Sequence, residues 1–172
     1  MDAKVILENL KKKIYHPIYL FQGDEPYYID KLSEYIEKNV LSDAEKGFNQ
    51  SIFYGKDSET QTIAESALRF PMMADKQVII VKEAQNLKKI ENLSYYAEKP
   101  LASTILVLNY KYKTLDARTK LVKAIKKNGV LFTSKKIYEY KIPAWIDNFL
   151  ANRGYKISPQ AAQILTAYLG ND

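Results

Sequence analysis

Up to about residue 136, apolar residues fall into two alternating rhythms. Short unbroken runs at 18–21 (Ile-Tyr-Leu-Phe), 78–81 (Val-Ile-Ile-Val), 104–108 and 130–133 are bounded by Gly, Pro or polar residues, the mark of strands buried on both faces. A fifth run at 48–54, closed by Gly55, predicts another strand. Between the runs, apolar positions recur at helical spacing. They predict a helix over 2–13 (Val5, Ile6, Leu10, with Ile14 beyond) that Pro17 stops. A second helix opens at Asp24-Glu25-Pro26 and carries Tyr28, Leu32, Tyr35 and Ile36 on one face. Others are expected over 62–70, ended by Pro71; over 91–98; and over 115–127, with Asn128-Gly129 as a C-terminal cap. Five strands interleaved with amphipathic helices imply an α/β fold, a three-layer domain whose mainly parallel sheet is covered on both sides.

Beyond residue 136 the strand rhythm stops. Helices are expected over 143–152, closed by Gly154, and over 158–169, capped by Ser158-Pro159. The chain is therefore expected to divide into an α/β domain at 1–139 and the beginning of a small helical domain at 140–172. Two helices are too few to close a core of their own, so more of the protein is expected after residue 172.

Charge is unevenly spread. Residues 1–70 hold nine basic and twelve acidic side chains, a net −3, whereas residues 71–172 hold 17 and 8, a net +9. A basic half suits nucleic-acid phosphates or an acidic protein face, and it equally suits a solvated surface. The lysines Lys120, Lys123 and Lys127 share one face of their helix, with Leu121 and Ile125 on another. They form a candidate DNA-facing set, although a solvated amphipathic helix has the same pattern. The 14 tyrosines are scattered rather than interleaved with the basic residues, which favours core and rim packing over base stacking. The absence of cysteine excludes a disulfide framework and a thiolate metal site. No apolar run approaches the roughly 20 residues of a membrane span, and the N-terminus lacks the apolar stretch of a signal peptide. The expected setting is the cytoplasm, with no membrane partner.

A strand ending in Gly before a helix raises the question of nucleotide binding. A phosphate-binding loop needs several backbone donors, a Lys and a Ser or Thr. Here the turn is Gly23-Asp24-Glu25-Pro26-Tyr27-Tyr28, which has no second Gly, no Lys and no hydroxyl of that kind, and carries two acids that repel phosphate. Lys82-Glu83 follows the third strand where a metal-binding acidic pair would stand. The single His16 precedes Pro17 and has no evident nucleophile or co-ligand, so it is expected to be a loop histidine. Asn109 is expected in the turn just past the fourth strand. No catalytic residue, metal or cofactor is expected.

Residues 17–29 (Pro-Ile-Tyr-Leu-Phe-Gln-Gly-Asp-Glu-Pro-Tyr-Tyr-Ile) resemble the opening strand and turn of the delta subunit family of bacterial DNA polymerase III. Residues 71–81 (Pro-Met-Met-Ala-Asp-Lys-Gln-Val-Ile-Ile-Val) are similar to that family's clamp-contacting loop and the strand after it. Residues 113–121, the Trp145-Ile146 helix and residues 154–162 continue the likeness in the same order. The resemblance implies a P-loop NTPase-like (AAA+/RecA-like) first domain with a degenerate nucleotide site. It also implies a small helical lid-like domain and a C-terminal collar domain outside the present chain. By the same resemblance the protein is a clamp-loader subunit that binds and opens the DNA sliding clamp during replication without hydrolysing ATP. It would belong to a nucleotidyltransferase complex, with the beta sliding clamp, the gamma/tau and delta-prime subunits, and DNA as partners. The family plugs the clamp with a hydrophobic pair, more usually Leu-Phe; the matching positions are Met72 and Met73, with Leu68, Phe70 and Pro71 as flanking support.

Two large apolar residues after a Pro and before the polar 75–77 segment suit an exposed tip, and Met adapts to irregular pockets. The same pair would also serve to cap the core beside the third strand. Two rival functions fit parts of the pattern: a basic nucleic-acid-binding module, and an NTPase with a non-standard site. A delta-prime subunit, which commonly carries a cysteine-rich zinc module, fits poorly with a chain that has no Cys.

Overall fold

A computed structural model describes residues 1–170. Its elements run α1 (Ala3–Lys11), β1 (Ile18–Gly23), α2 (Pro26–Asn39), α3 (Asp43–Asn49), β2 (Gln50–Tyr54), α4 (Thr60–Ala67), β3 (Gln77–Lys82), α5 (Ser94–Glu98), β4 (Thr104–Lys111), α6 (Lys120–Asn128), β5 (Val130–Ser134), α7 (Ile142–Ala151) and α8 (Pro159–Leu169). The five strands form one sheet in the order β2-β3-β4-β1-β5, and every adjacent pair is parallel. Each parallel connection needs a crossover, which is why helices cover both faces.

Alternation along the strands sorts the core into two layers. Ile18 and Leu20 of β1, Ile79 and Val81 of β3, and Leu106 and Leu108 of β4 point to one face, packing with Ile63, Leu93, Leu121 and Ile125. Register brings Leu106 beside both Ile18 and Ile79. Tyr19, Phe21, Val78, Ile80, Ile105 and Val107 point to the other face, against Ile6 and Leu10 of α1 and Ile29, Leu32 and Ile36 of α2. Each such side chain contributes roughly 1.5–3 kcal/mol by leaving water. The central strands are buried along most of their length, whereas edge strand β2 is only partly covered.

Several element boundaries differ from the sequence expectation. The run at 48–54 is not all strand, because Phe48 and Asn49 close α3 and only 50–54 extends. Helix α4 ends at Ala67, short of Pro71. Helix α6 begins at Lys120 rather than 115: Asp116 holds the Arg118 backbone and side chain in a turn, and Thr119 then caps the helix by accepting from the Val122 amide. Gly129 is not a left-handed cap, since its backbone is extended at φ −150°. It is needed for space, because a Cβ there would lie 2.1 Å from the Ile18 carbonyl oxygen. Val5 and Ile14 are exposed, leaving Ala3, Ile6 and Leu10 as the buried face of α1.

The chain separates into two compact units, Met1–Ser134 and Lys135–Asp172. In the second, α7 and α8 pack on each other, and Ser158 caps α8 by accepting from the Ala161 amide at 3.2 Å. No helix among the described residues is long and apolar enough to cross a membrane.

Candidate functional site

Beyond α4 the chain crosses to β3 in a loop whose large apolar residues face water. Leu68 is 53% exposed, Phe70 78%, Met72 58% and Met73 98%, with Pro71 half-buried between them. Met73 also takes a left-handed backbone conformation, φ 52°, which costs a non-glycine residue about 1–2 kcal/mol and persists only where neighbours enforce it.

Two polar anchors hold the loop on either side of it. At the base, buried Gln77 shares the two N–H groups of its side-chain amide among acceptors that include the carbonyls of Ser66, Ala67 and Arg69, and Thr104 Oγ1 donates to the Ala67 carbonyl at 2.7 Å. These bonds give the Ala67 carbonyl, at the end of α4, partners in place of the next helical turn. At the tip, Asn49 grips Met72 from both sides: its Nδ2 donates to the Met72 carbonyl at 2.9 Å, and its Oδ1 accepts from the Met72 amide at 2.6 Å. Phe48, the residue before that grip, is 76% exposed. Asn49, Gln77, Thr104 and Phe48 were not singled out in the sequence, where Phe48 and Asn49 read as strand. The capping-box spacing Ser42-x-x-Glu45 was the available signal for α3.

The carboxyl ends of β1, β3 and β4 hold the other candidate region. Gly23 donates to the Lys113 carbonyl at 3.0 Å and accepts from the Tyr112 amide at 2.9 Å, while Asp24 donates to the Ser134 carbonyl at 3.1 Å. Gly23 has φ 122°, and a Cβ there would meet the Ser134 oxygen at 1.9 Å, so the glycine serves close packing of the turn. The start of α2, where a helix dipole would favour a phosphate, holds a carboxylate instead: Glu25 Oε1 accepts from the Tyr27 amide at 3.0 Å. Beside it lies a cleft of about 340 Å³ lined by Asp30, Ser33, Glu37, Lys82, Asn109 and Lys111 among others. Its lysines are paired with its carboxylates, among them Lys82 with Glu37 at 3.1 Å and Lys111 with Asp30 at 2.5 Å.

Asn109 lies within β4, not in the turn after it. It is buried and donates to Ser33 Oγ at 2.7 Å, and its Oδ1 has no protein partner. His16 is half-buried; its backbone amide donates to the Tyr19 hydroxyl, whose pKa burial pushes up to about 12. No group of three His, Cys, Asp or Glu side chains that could hold a metal occurs among the described residues.

Lys120, Lys123 and Lys127 are exposed along α6, opposite buried Leu121, Val122, Ala124 and Ile125. The tyrosines divide between core and surface. Tyr19 and Tyr96 are buried, whereas Tyr138 and Tyr140 are exposed and stacked on each other at 5.9 Å, within the Lys-rich 135–141 segment. Basic and aromatic residues do interleave there, contrary to the scattered pattern expected.

The profile of the family described as DNA polymerase III, delta subunit, matches residues 19–135. The chain is 31% identical over 171 residues to the Bacillus subtilis DNA polymerase III subunit delta, covering 93% of this chain and 49% of that protein. Among solved structures it is similar to the Bacillus subtilis DNA clamp loader delta protein, with a TM-score of 0.78, 26% identity, and coverage of 96% of this chain and 52% of that one. Weaker likenesses are to a DNA polymerase III gamma subunit-related protein of Thermotoga maritima (TM-score 0.54, 15% identity, 95% of this chain and 58% of that one) and to Thermotoga maritima RuvB (0.52, 17%, 95% and 53%). These two share the AAA+-like fold. The chain spans about half the length of the delta relatives it matches.

Proposed function

The chain belongs to the DNA polymerase III delta-subunit family of clamp-loader proteins, and from that premise we propose that its first domain grips the sliding clamp through the 68–73 loop and helps to open the ring. One observation carries the proposal: Met73, 98% exposed, stands at the tip of a loop that hydrogen bonds hold in place. Burying Met72 and Met73 in a clamp pocket would contribute roughly 3–6 kcal/mol before ordering costs. Leu68, Phe70 and Pro71 flank the plug, and α4 braces it.

Opening the ring requires no fuel from this chain. A partner that binds the open ring more tightly than the closed one shifts the population by that difference in affinity. ATP hydrolysis is assigned to other subunits of the loader, and the Glu25 carboxylate seated at the start of α2 supports this. The domain expected over 1–139, compact over 1–134, is assigned the clamp-binding ATPase-like role, and the helical unit after it is assigned as the beginning of a lid-like domain. Contacts with gamma/tau and delta-prime subunits are assigned to the part of the family's proteins outside this chain.

The measurement is retention on the immobilised sliding clamp of the source organism. The wild-type chain should bind, and Met72→Ala/Met73→Ala should lose nearly all binding while unfolding at nearly the same temperature. Equal retention of both would overturn the assignment.

Lys120, Lys123 and Lys127 are assigned to DNA in the assembled loader, on the strength of their shared exposed face. Replacing all three by Glu should weaken DNA retention most at low salt and leave clamp binding intact, because phosphate contacts act through counterion release. DNA binding that is unchanged across a salt series would remove them from the interface.

A further inference from the structure

Asn49 is 4% exposed and lies 23 positions from Met72 in sequence, yet its side chain is committed to that loop. All its hydrogen-bonding groups facing this corner are used. Nδ2 donates to the Glu45 carbonyl at 3.1 Å and to the Met72 carbonyl at 2.9 Å, and Oδ1 accepts from the Met72 amide. Turning the amide over would set Nδ2 against the Met72 N–H and Oδ1 against two carbonyls, so the network admits one orientation. A primary amide reproduces here what a neighbouring strand would offer, one donor and one acceptor to the same residue. Asn49 is also the only buried residue of α3. The helix therefore contributes a polar group, not an apolar face, to the domain.

Met73, immediately after the gripped residue, holds a left-handed conformation. We infer that Asn49 is a positioning residue that presets the Met72–Met73 tip in its clamp-binding conformation. A loop ordered before binding loses less conformational freedom on docking, so the latch raises affinity without Asn49 touching the partner. The inference rests on the clamp-gripping role proposed above, and its structural half can be tested apart from that role.

The chain has three methionines, Met1, Met72 and Met73, so labelling methionine alone with ¹⁵N and ¹³C yields a backbone spectrum in which the tip is read directly. Two variants remove the latch: Asn49→Ala, and Asn49→Leu, which keeps the side-chain volume and covers the case in which the alanine variant fails to fold. In each, the backbone amide and Cα signals of Met72 and Met73 should move to random-coil shifts, the Met72 amide should exchange about tenfold faster, and affinity for the sliding clamp should fall about tenfold. The melting temperature should fall by a few degrees, as the loss of the buried amide's hydrogen bonds requires.

Unmoved methionine signals overturn the inference, whether or not clamp affinity falls, because Asn49 would then not be acting through the loop. Moved signals with undiminished clamp affinity overturn it as well, provided Met72→Ala/Met73→Ala abolishes binding. If that double variant binds normally, the plug assignment is what fails, and the backbone-shift and exchange data still decide whether Asn49 orders the loop.

Discussion

Met72 and Met73 differ in how much each has left to bury. Met73 is almost wholly exposed in the free chain, whereas Met72 is 58% exposed and has its backbone bound by Asn49. Truncating Met73 removes nothing from the folded domain, so its whole effect falls on the complex. Full burial of such a side chain is worth roughly 1.5–3 kcal/mol, or about ten- to a hundredfold in affinity. Met73→Ala should therefore reach most of the loss of the double variant with no change in melting temperature. Met72→Ala should lose less affinity and shift the melting curve slightly. Titration of the two single variants against the clamp checks the order; a greater loss from Met72→Ala would place the plug one residue earlier. At this scale the sequence was informative about which residues are apolar and uninformative about what holds them. Met-Met after Pro marks a tip, but the partner of Met72 is an asparagine in another element, and no local spacing connects them.

Among the elements, legibility followed burial. Strands β1, β3 and β4 are covered on both faces, so their sequences are continuous apolar runs and were read correctly. Helix α3 was missed for the opposite reason. It is seven residues long, its one buried residue is polar Asn49, and Phe48 points to solvent, so it has no apolar stripe. Its start is instead built by Glu45, which accepts from both the Ser42 amide at 2.8 Å and the Ser42 hydroxyl at 2.7 Å. Those bonds lower the Glu45 pKa below its ordinary value of 4.5. A carboxylate depressed in the folded state contributes stability that is present above its ordinary pKa and lost as the pH falls through the lowered value. The N-terminus of α3 should accordingly fray in acid before the sheet does. Carboxyl chemical shifts followed through a pH titration should give Glu45 an inflection below 4.5, and Ser42→Ala should return it toward the ordinary range. An unshifted inflection in the wild type would mean that the cap does not persist in solution.

For the molecule as a whole, the question is whether an ATPase-like sheet still takes nucleotide. Sequence alone exposed the weak turn at Gly23-Asp24-Glu25-Pro26. It could not show that the backbone groups of Gly23 and Asp24 are bonded to Lys113, Tyr112 and Ser134, or that Lys82 and Lys111 are paired with Glu37 and Asp30. Those long-range pairings come from the parallel sheet bringing the ends of β1, β3, β4 and β5 together beside α2, which no local pattern encodes. A ligand that binds only the folded chain stabilises it by about 2.7 kcal/mol when present at a hundred times its dissociation constant. For a domain of this size each kcal/mol raises the melting temperature by about 2–4 °C. Magnesium-ATP at millimolar concentration would thus shift the melting curve by roughly 5–10 °C if the chain bound it with a dissociation constant near ten micromolar. The expected shift is none, while the sliding clamp under the same conditions should stabilise the wild-type chain and not Met72→Ala/Met73→Ala. An ATP-dependent rise, abolished by a nucleotide-site substitution such as Lys111→Ala, would return the chain to the nucleotide-binding members of its fold and remove the reason for assigning hydrolysis to its partners.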